Sequence, residues 1–253
     1  MSPSPRPDEP RWVIPDPHTD EDLGILKSGK EGQINLLERR SLVDDTPPVL
    51  LAQKRYVPRQ VTTKGTLEAL GVERASAFRN DVAYREGRQF RKSRDRRAVE
   101  RMSTYGKHLM QDRWMNHEHD VMRTLWHAGV NVPYPVSYGD DVFIMEYIGE
   151  RSGAAPVLAS ARLSGSQLDD ALTQVLDGLV TIVDTGWIHG DLSAFNLLWW
   201  EDTVWFIDFP QAIDLAVNPQ GLNFLHRDVV NIAGWFNQRG LAVDPDELFA
   251  GLL

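Results

Sequence analysis

The chain has 253 residues, with 42% hydrophobic and 25% charged residues, enough for one large domain or two packed lobes with a sizeable core. It has no cysteine, which excludes disulfides and thiolate metal sites, and no apolar run long enough to span a membrane. Its net charge of -9 argues against general nucleic-acid affinity, although the charge is uneven.

Residues 1–20 are rich in Pro, Asp and Ser and read as a disordered arm without the apolar core of a secretory signal, which fits a cytoplasmic location. Leu23–Leu26 and Gln33–Glu38 read as strands joined by the turn Lys27-Ser28-Gly29-Lys30-Glu31-Gly32. Asp44–Pro48 is a turn and Val49–Arg55 a third strand. Residues 58–105 are polar and basic and read as an irregular insertion. Between Arg74 and Arg113 stand 12 Lys/Arg against 5 Asp/Glu, a local charge of +7. Arg91, Lys92, Arg94, Arg96 and Arg97 lie almost side by side. This stretch is either a solvated face or a docking surface for an acidic partner.

Asp112–Ala128 reads as a helix, with Met115, Glu118, Met122 and Leu125 at spacings of three and four and Gly129 as the stop. Val142–Tyr147 is a strand. Ser166–Asp184 is an amphipathic helix with Ser166 and Asp169 as its expected capping box and Leu168, Leu172, Val175, Leu176 and Leu179 as its stripe. Leu197–Trp200 and Val204–Ile207 form a strand pair, and His226–Gln238 and Asp244–Leu253 are helices. The order implies an α+β fold of two lobes: residues 21–148 with the basic insertion, then residues 149–253. His117, His119 and His127 do not form a metal pattern, having neither helical register nor a supporting carboxylate set.

The chemistry is concentrated in His189-Gly190-Asp191-Leu192-Ser193-Ala194-Phe195-Asn196, followed by Ile207-Asp208-Phe209-Pro210-Gln211. Phosphoryl transfer from a nucleotide needs one carboxylate to orient the nucleophile, and an amide oxygen with a second carboxylate to hold metal against the phosphates. Asp191 and Asn196 have the spacing of a kinase catalytic loop, and Asp208 follows after a short hairpin, where a kinase places its metal-binding aspartate. Read singly, Asp191 and Asn196 would be turn caps. The hairpin and the second aspartate favour the functional reading.

The H-G-D-L-S-x-x-N and I-D-x-P-Q motifs resemble those of the RIO family of atypical serine/threonine kinases. The resemblance covers roughly residues 23–240 and is patchy in the first lobe. It implies a protein-kinase-like fold with a truncated C-terminal lobe, because only twenty residues separate Asp208 from Asp228. It implies catalytic roles for Asp191 and Asp208, with Asn196 and Asp208 holding Mg2+ or Mn2+. It implies ATP contacts from Ser28, Gly29 and Lys30 in the S-G-K-E turn and from Lys54 paired with Glu118. Met145 would stand behind the adenine, with the backbone of Glu146 and Ile148 at the hinge. His189, Ser193 and Asp228 would support the catalytic loop. By residue type alone, Lys54 could equally be a solvent-exposed strand end, Glu118 the edge of the apolar stripe, and Asp228 a first-turn acid favouring the helix dipole.

The short stretch before the first strand implies the subgroup without an N-terminal winged helix. A protein substrate, autophosphorylation, and rRNA or a ribosomal subunit at the basic segment 74–113 are further expectations of the resemblance. Small-molecule kinases of the aminoglycoside or choline type share the H-G-D-x-x-x-x-N loop, but usually carry His at the position of Ser193 and lack the Pro-Gln. An ATP-switched assembly factor with slow ATPase activity is the non-kinase alternative.

Overall fold

In a computed structural model, the structure describes residues 9–29, 32–56, 104–139 and 141–253. Strands β1 (His18–Gly29), β2 (Gly32–Ser41) and β3 (Val49–Tyr56) are followed by helix α1 (Thr104–His127) and strands β4 (Pro135–Gly139) and β5 (Val142–Glu146). These strands form one five-stranded antiparallel sheet in the order β1-β2-β3-β5-β4. Two tiny strands, β6 (Gly149–Glu150) and β7 (Gly153–Ala154), form a hairpin just after β5. The rest is mainly helical: α2 (Gly165–Asp184), α3 (Gly221–Asn237) and α4 (Pro245–Gly251), with the hairpin β9 (Leu197–Trp200) and β10 (Thr203–Phe206). The paired two-residue strands β8 (Trp187–Ile188) and β11 (Ile213–Asp214) flank that hairpin in sequence.

A single apolar core joins the two halves. Val121, Met122 and Leu125 of α1 and Phe143 of β5 cluster with Leu168, Val175 and Leu179 of α2, Leu197 of β9, Phe206 of β10, Phe209, and Phe236 of α3. These side chains are almost fully shielded from water, so the α1 face that carries them is fixed against the helical half. A second cluster, Leu36, Ala52 and Tyr147, lies under the sheet beside Ile34, Leu50 and Met145.

Several boundaries differ from those read in the sequence. The part of the expected arm that the structure describes is ordered: Ile14 is buried, Trp12 and Val13 pack on the core, and His18 opens β1. Polar residues of β1 find partners across the sheet, Asp20 with Arg39 and Asp22 with Asn35, which lets a hydrophilic strand form. Helix α1 starts at Thr104, eight residues before the expected start. The N-cap of α2 is Ser164, not Ser166: its Oγ accepts from Gln167 N–H and the Gln167 side chain accepts from Ser164 N–H. The expected Ser166 and Asp169 lie two residues too far along. The buried seam of α2 runs through Ala171 and Ile182, with Leu172 only partly buried. Helix α3 begins at Gly221, five residues before the expected start. Arg91, Lys92, Arg94, Arg96 and Arg97, and most of the basic segment, lie outside the described residues.

Glu38 of β2 is 2% exposed and forms ion pairs with Arg40 of the same strand and with Arg151 in the β6–β7 turn. The sheet is thereby tied to the hairpin that follows its last sequential strand.

Candidate active site

The site is built where β3, α1 and the segment after β10 converge. Lys54 occupies the penultimate pair of β3 with β5, opposite Phe143. Its Nζ donates to both carboxylate oxygens of Glu118, at 3.0 and 3.2 Å, and to Oδ1 of Asp208, at 2.7 Å. Glu118 is 1% exposed on the core-facing side of α1, so its charge is sustained by this lysine. The reading of Lys54 as a solvent-exposed strand end, and of Glu118 as a stripe edge, is therefore set aside. Asp208 itself is bent into the left-handed region at φ 70°, which turns its carboxylate out of the strand direction and toward the lysine. Burial would raise its carboxyl pKa. The Lys54 ammonium outweighs this by charge and hydrogen bond, and with Lys27 holds the carboxyl below its ordinary value.

The catalytic loop is held from beneath by α3. Asp228 has no exposed surface, and its two oxygens accept from the backbone N–H of Gly190 at 2.8 Å and of Leu192 at 3.1 Å. Arg227 donates to the Gly190 carbonyl and Asn231 to the Leu192 carbonyl at 3.5 Å. Asp191 is clamped on both sides by these contacts and is left exposed. Burial pushes the Asp228 carboxyl up to about 6 against the opposing pull of the two N–H groups and Arg227.

The loop is also locked to the segment around Asp208. His189 Nε2 donates to the Ile207 carbonyl at 3.0 Å and its ring lies 4.6 Å from that of Phe209. Burial lowers the His189 pKa, so the ring is neutral and its Nε2 carries the proton. Gly190 sits at φ 79°, and a Cβ there would come 2.4 Å from the Gln211 carbonyl oxygen. Only glycine lets the H-G-D and I-D-x-P-Q motifs approach this closely. His117 Nε2 donates to the Ala212 carbonyl at 3.0 Å, tying the helix that carries Glu118 to the same segment.

Asn196 donates its Nδ2–H to the Asp191 carbonyl at 2.8 Å, and its own carbonyl accepts from Ile207 N–H at 3.0 Å. With its amide nitrogen so engaged, the side-chain oxygen is the atom presented outward. Ser193 shapes the same turn, its Oγ accepting from Phe195 N–H at 3.3 Å and its carbonyl from Asn196 N–H. An amide oxygen and a carboxylate are hard donors suited to Mg2+ or Mn2+. Among the described residues no group of three or more His, Asp or Glu could hold a metal.

At the hinge, Met145 pairs with Ala52 and packs on the Leu36–Ala52–Tyr147 cluster, giving an apolar wall. The Glu146 side chain turns away and accepts from Tyr134 N–H at 3.0 Å, so only its backbone lies along the chain's path into Ile148. The Ile148 carbonyl accepts from Ala155 N–H at 3.0 Å.

In the S-G-K-E turn, Gly29 pairs with Gly32 to close the β1–β2 connection. Ser28 pairs with Gln33, and Gln33 with Arg55, on the face opposite Lys54. The register therefore does not support the expected role of the Ser28 hydroxyl toward phosphate. Lys30 lies outside the described residues. Sequence reasoning missed Arg227 and Asn231, whose only signal was their helical spacing around Asp228, and Lys27, whose orientation depends on a bulge.

The RIO domain profile matches residues 76–248, more than half of the chain. The RIO-type serine/threonine-protein kinase Rio1 of Thermoplasma acidophilum is 34% identical over 135 residues, 53% of this chain and 69% of that protein. The probable serine/threonine-protein kinase RIO1 homolog of Encephalitozoon cuniculi is 27% identical over 223 residues, 87% of this chain and 54% of that protein. Serine/threonine-protein kinase RIO3 of Bos taurus is 32% identical over 139 residues, 54% of this chain but only 27% of that protein. On these matches, the chain belongs to the RIO family of serine/threonine-protein kinases.

Proposed function

We propose that this chain transfers the γ-phosphoryl group of ATP to a protein hydroxyl, with Asp191 orienting the acceptor and Lys54 steadying the phosphates. Asn196 and Asp208 would hold the divalent metal, Mg2+ or Mn2+. When bound, the metal would offset the charge that develops on the phosphate oxygens. The observation that carries this reading is the Lys54–Glu118–Asp208 junction, which joins residues 64 and 154 positions apart at a single ammonium. Asp191 is exposed beside it on a loop fixed at both flanks, which suits a group that meets an incoming acceptor.

The transfer follows from placement. The apolar wall of Leu36, Ala52 and Met145 receives the adenine, and the hinge backbone at Glu146 and Ile148 reads its edge. Lys54 fixes the phosphates relative to Asp191, whose carboxylate accepts the hydroxyl proton as the new P–O bond forms and the bond to ADP breaks.

The deciding experiment incubates the protein with γ-labelled ATP and the divalent metal. Label on serine or threonine of added protein or of the chain itself supports the reading. Label found only on an added aminoglycoside or choline would replace it with small-molecule transfer. Label released only as inorganic phosphate, or held on Asp208, would replace it with an ATP-driven switch.

A further inference from the structure

Lys27 stands near the end of β1, just before the S-G-K-E turn. Residues directly opposed across antiparallel strands share a face, and Lys27 opposes Ile34, which opposes Lys54. The three form one row across β1, β2 and β3. The two lysine backbones are thus two strand spacings apart, roughly 10 Å. This orientation depends on Leu26. The register advances by two residues on β1 and by one on β2 between Ile25–Asn35 and Lys27–Ile34, so Leu26 is a bulge residue. A regular strand in register with Ile25 would place Lys27 on the same face as Ile25, which is 63% exposed. The bulge instead leaves Leu26 in the cluster under the sheet and turns Lys27 to the same face, toward Lys54.

Asp208 lies on that side too, its Oδ1 on Lys54. Among the described residues Lys27 makes no ion pair within 4 Å, while the Lys54 ammonium already serves two carboxylates. Lys27 is exposed, two residues before the Gly29–Gly32 closure of the S-G-K-E turn.

We propose that Lys27 is a specificity-determining residue which binds the terminal phosphoryl group of a nucleoside triphosphate and so favours ATP over ADP. This rests on the phosphotransferase reading above. A metal held by Asp208 would offset phosphate charge there, so a cation facing Asp208 from across the cleft would meet the phosphoryl group farthest from the adenine wall. ADP lacks that group, so the contact is lost after transfer and product release is eased.

The test measures equilibrium binding of Mg-ATP and Mg-ADP to the full chain by calorimetry, for wild type, Lys27→Met, Lys27→Arg and Asp208→Ala. Lys27→Met should raise the Kd for ATP roughly ten-fold, the scale of one hydrogen bond to a charged group, and change that for ADP less than about two-fold. Lys27→Arg should restore most of the ATP affinity. Equal losses for ATP and ADP, or no loss for either, would overturn the proposal. Wild type that binds ATP, with Asp208→Ala weakened but Lys27→Met unchanged, overturns this inference alone. Wild type that binds neither nucleotide overturns the phosphotransferase reading with it.

Discussion

Lys54 and Asp208 stand 154 residues apart in the chain, yet the lysine ammonium reaches the aspartate oxygen at 2.7 Å. The same ammonium neutralises Glu118, so one cation sets the charge balance of strand, helix and metal loop together. Lys54→Met should therefore remove the one ammonium that the Glu118 and Asp208 carboxylates share. We expect kcat to fall by about two to three orders of magnitude while the Kd for ATP changes far less, because the apolar wall under the sheet still holds the base. Steady-state kinetics with a parallel binding titration separates the two effects, and unchanged turnover would remove Lys54 from the site.

Asp208→Ala removes the one carboxylate proposed for the metal. Turnover should drop by several orders of magnitude, and raising the metal concentration should not rescue it. A variant that retains near-normal activity would show that the metal loop has been wrongly assigned.

Gly190→Ala tests the contact between the two motifs. The added Cβ meets the Gln211 carbonyl at 2.4 Å and adopts φ 79°, a combination that costs roughly 1–3 kcal/mol and displaces the loop carrying Asp191. We expect a lower urea midpoint and a loss of kcat of at least about ten-fold. Wild-type kinetics and stability would show that the loop absorbs the side chain elsewhere.

The buried Asp228 carboxyl gives the fold a pH signature. Its pKa is raised from the model-compound value of 3.8 to about 6, so its protonated form is the one favoured by folding. The corresponding stability is fully present below about pH 4, declines as the pH rises toward 6, and is absent above that. Asp228→Asn lacks this titration and loses one of the two hydrogen bonds to the loop at every pH. Urea unfolding at pH 4 and pH 7 should show wild type losing stability relative to the variant by up to about 3 kcal/mol. A difference that does not change with pH would mean that the two N–H donors keep the carboxyl ionised throughout.

Neutralising Arg91, Lys92, Arg94, Arg96 and Arg97 together should leave ATP turnover intact while weakening association with ribosomal RNA or ribosomal subunits. Wild-type binding should weaken steeply with added salt. Equal binding by the variant across a salt titration would reduce the segment to a solvated face.

What the sequence made legible were residues whose chemistry leaves few alternatives. Asp191, Asn196 and Asp208 came from spacing, and Glu118 from a charge lying on an apolar helical face, where the structure finds it paired. Strand β1 was cut short because His18–Asp22 is polar, and its stabilising partners Asn35 and Arg39 lie on another strand. Helix α3 was started late because Gly221 and Asn223 are weak helix signals, overridden by the packing of Gly221 and Leu225. Lys27 was invisible for a third reason. Alternation along a strand is readable from sequence only where the strand is regular, and the bulge at Leu26 breaks it.

The ion pair between Glu38 and Arg151 has a mechanical side. Glu38 is almost wholly enclosed, whereas Arg151 is 60% exposed on a turn of the short hairpin that leaves the sheet. Pulling the hairpin away would uncover a carboxylate whose remaining partner, Arg40, sits on its own strand, so the separation is resisted by charge as well as by packing. The sheet and the short hairpin therefore separate only by exposing a buried carboxylate.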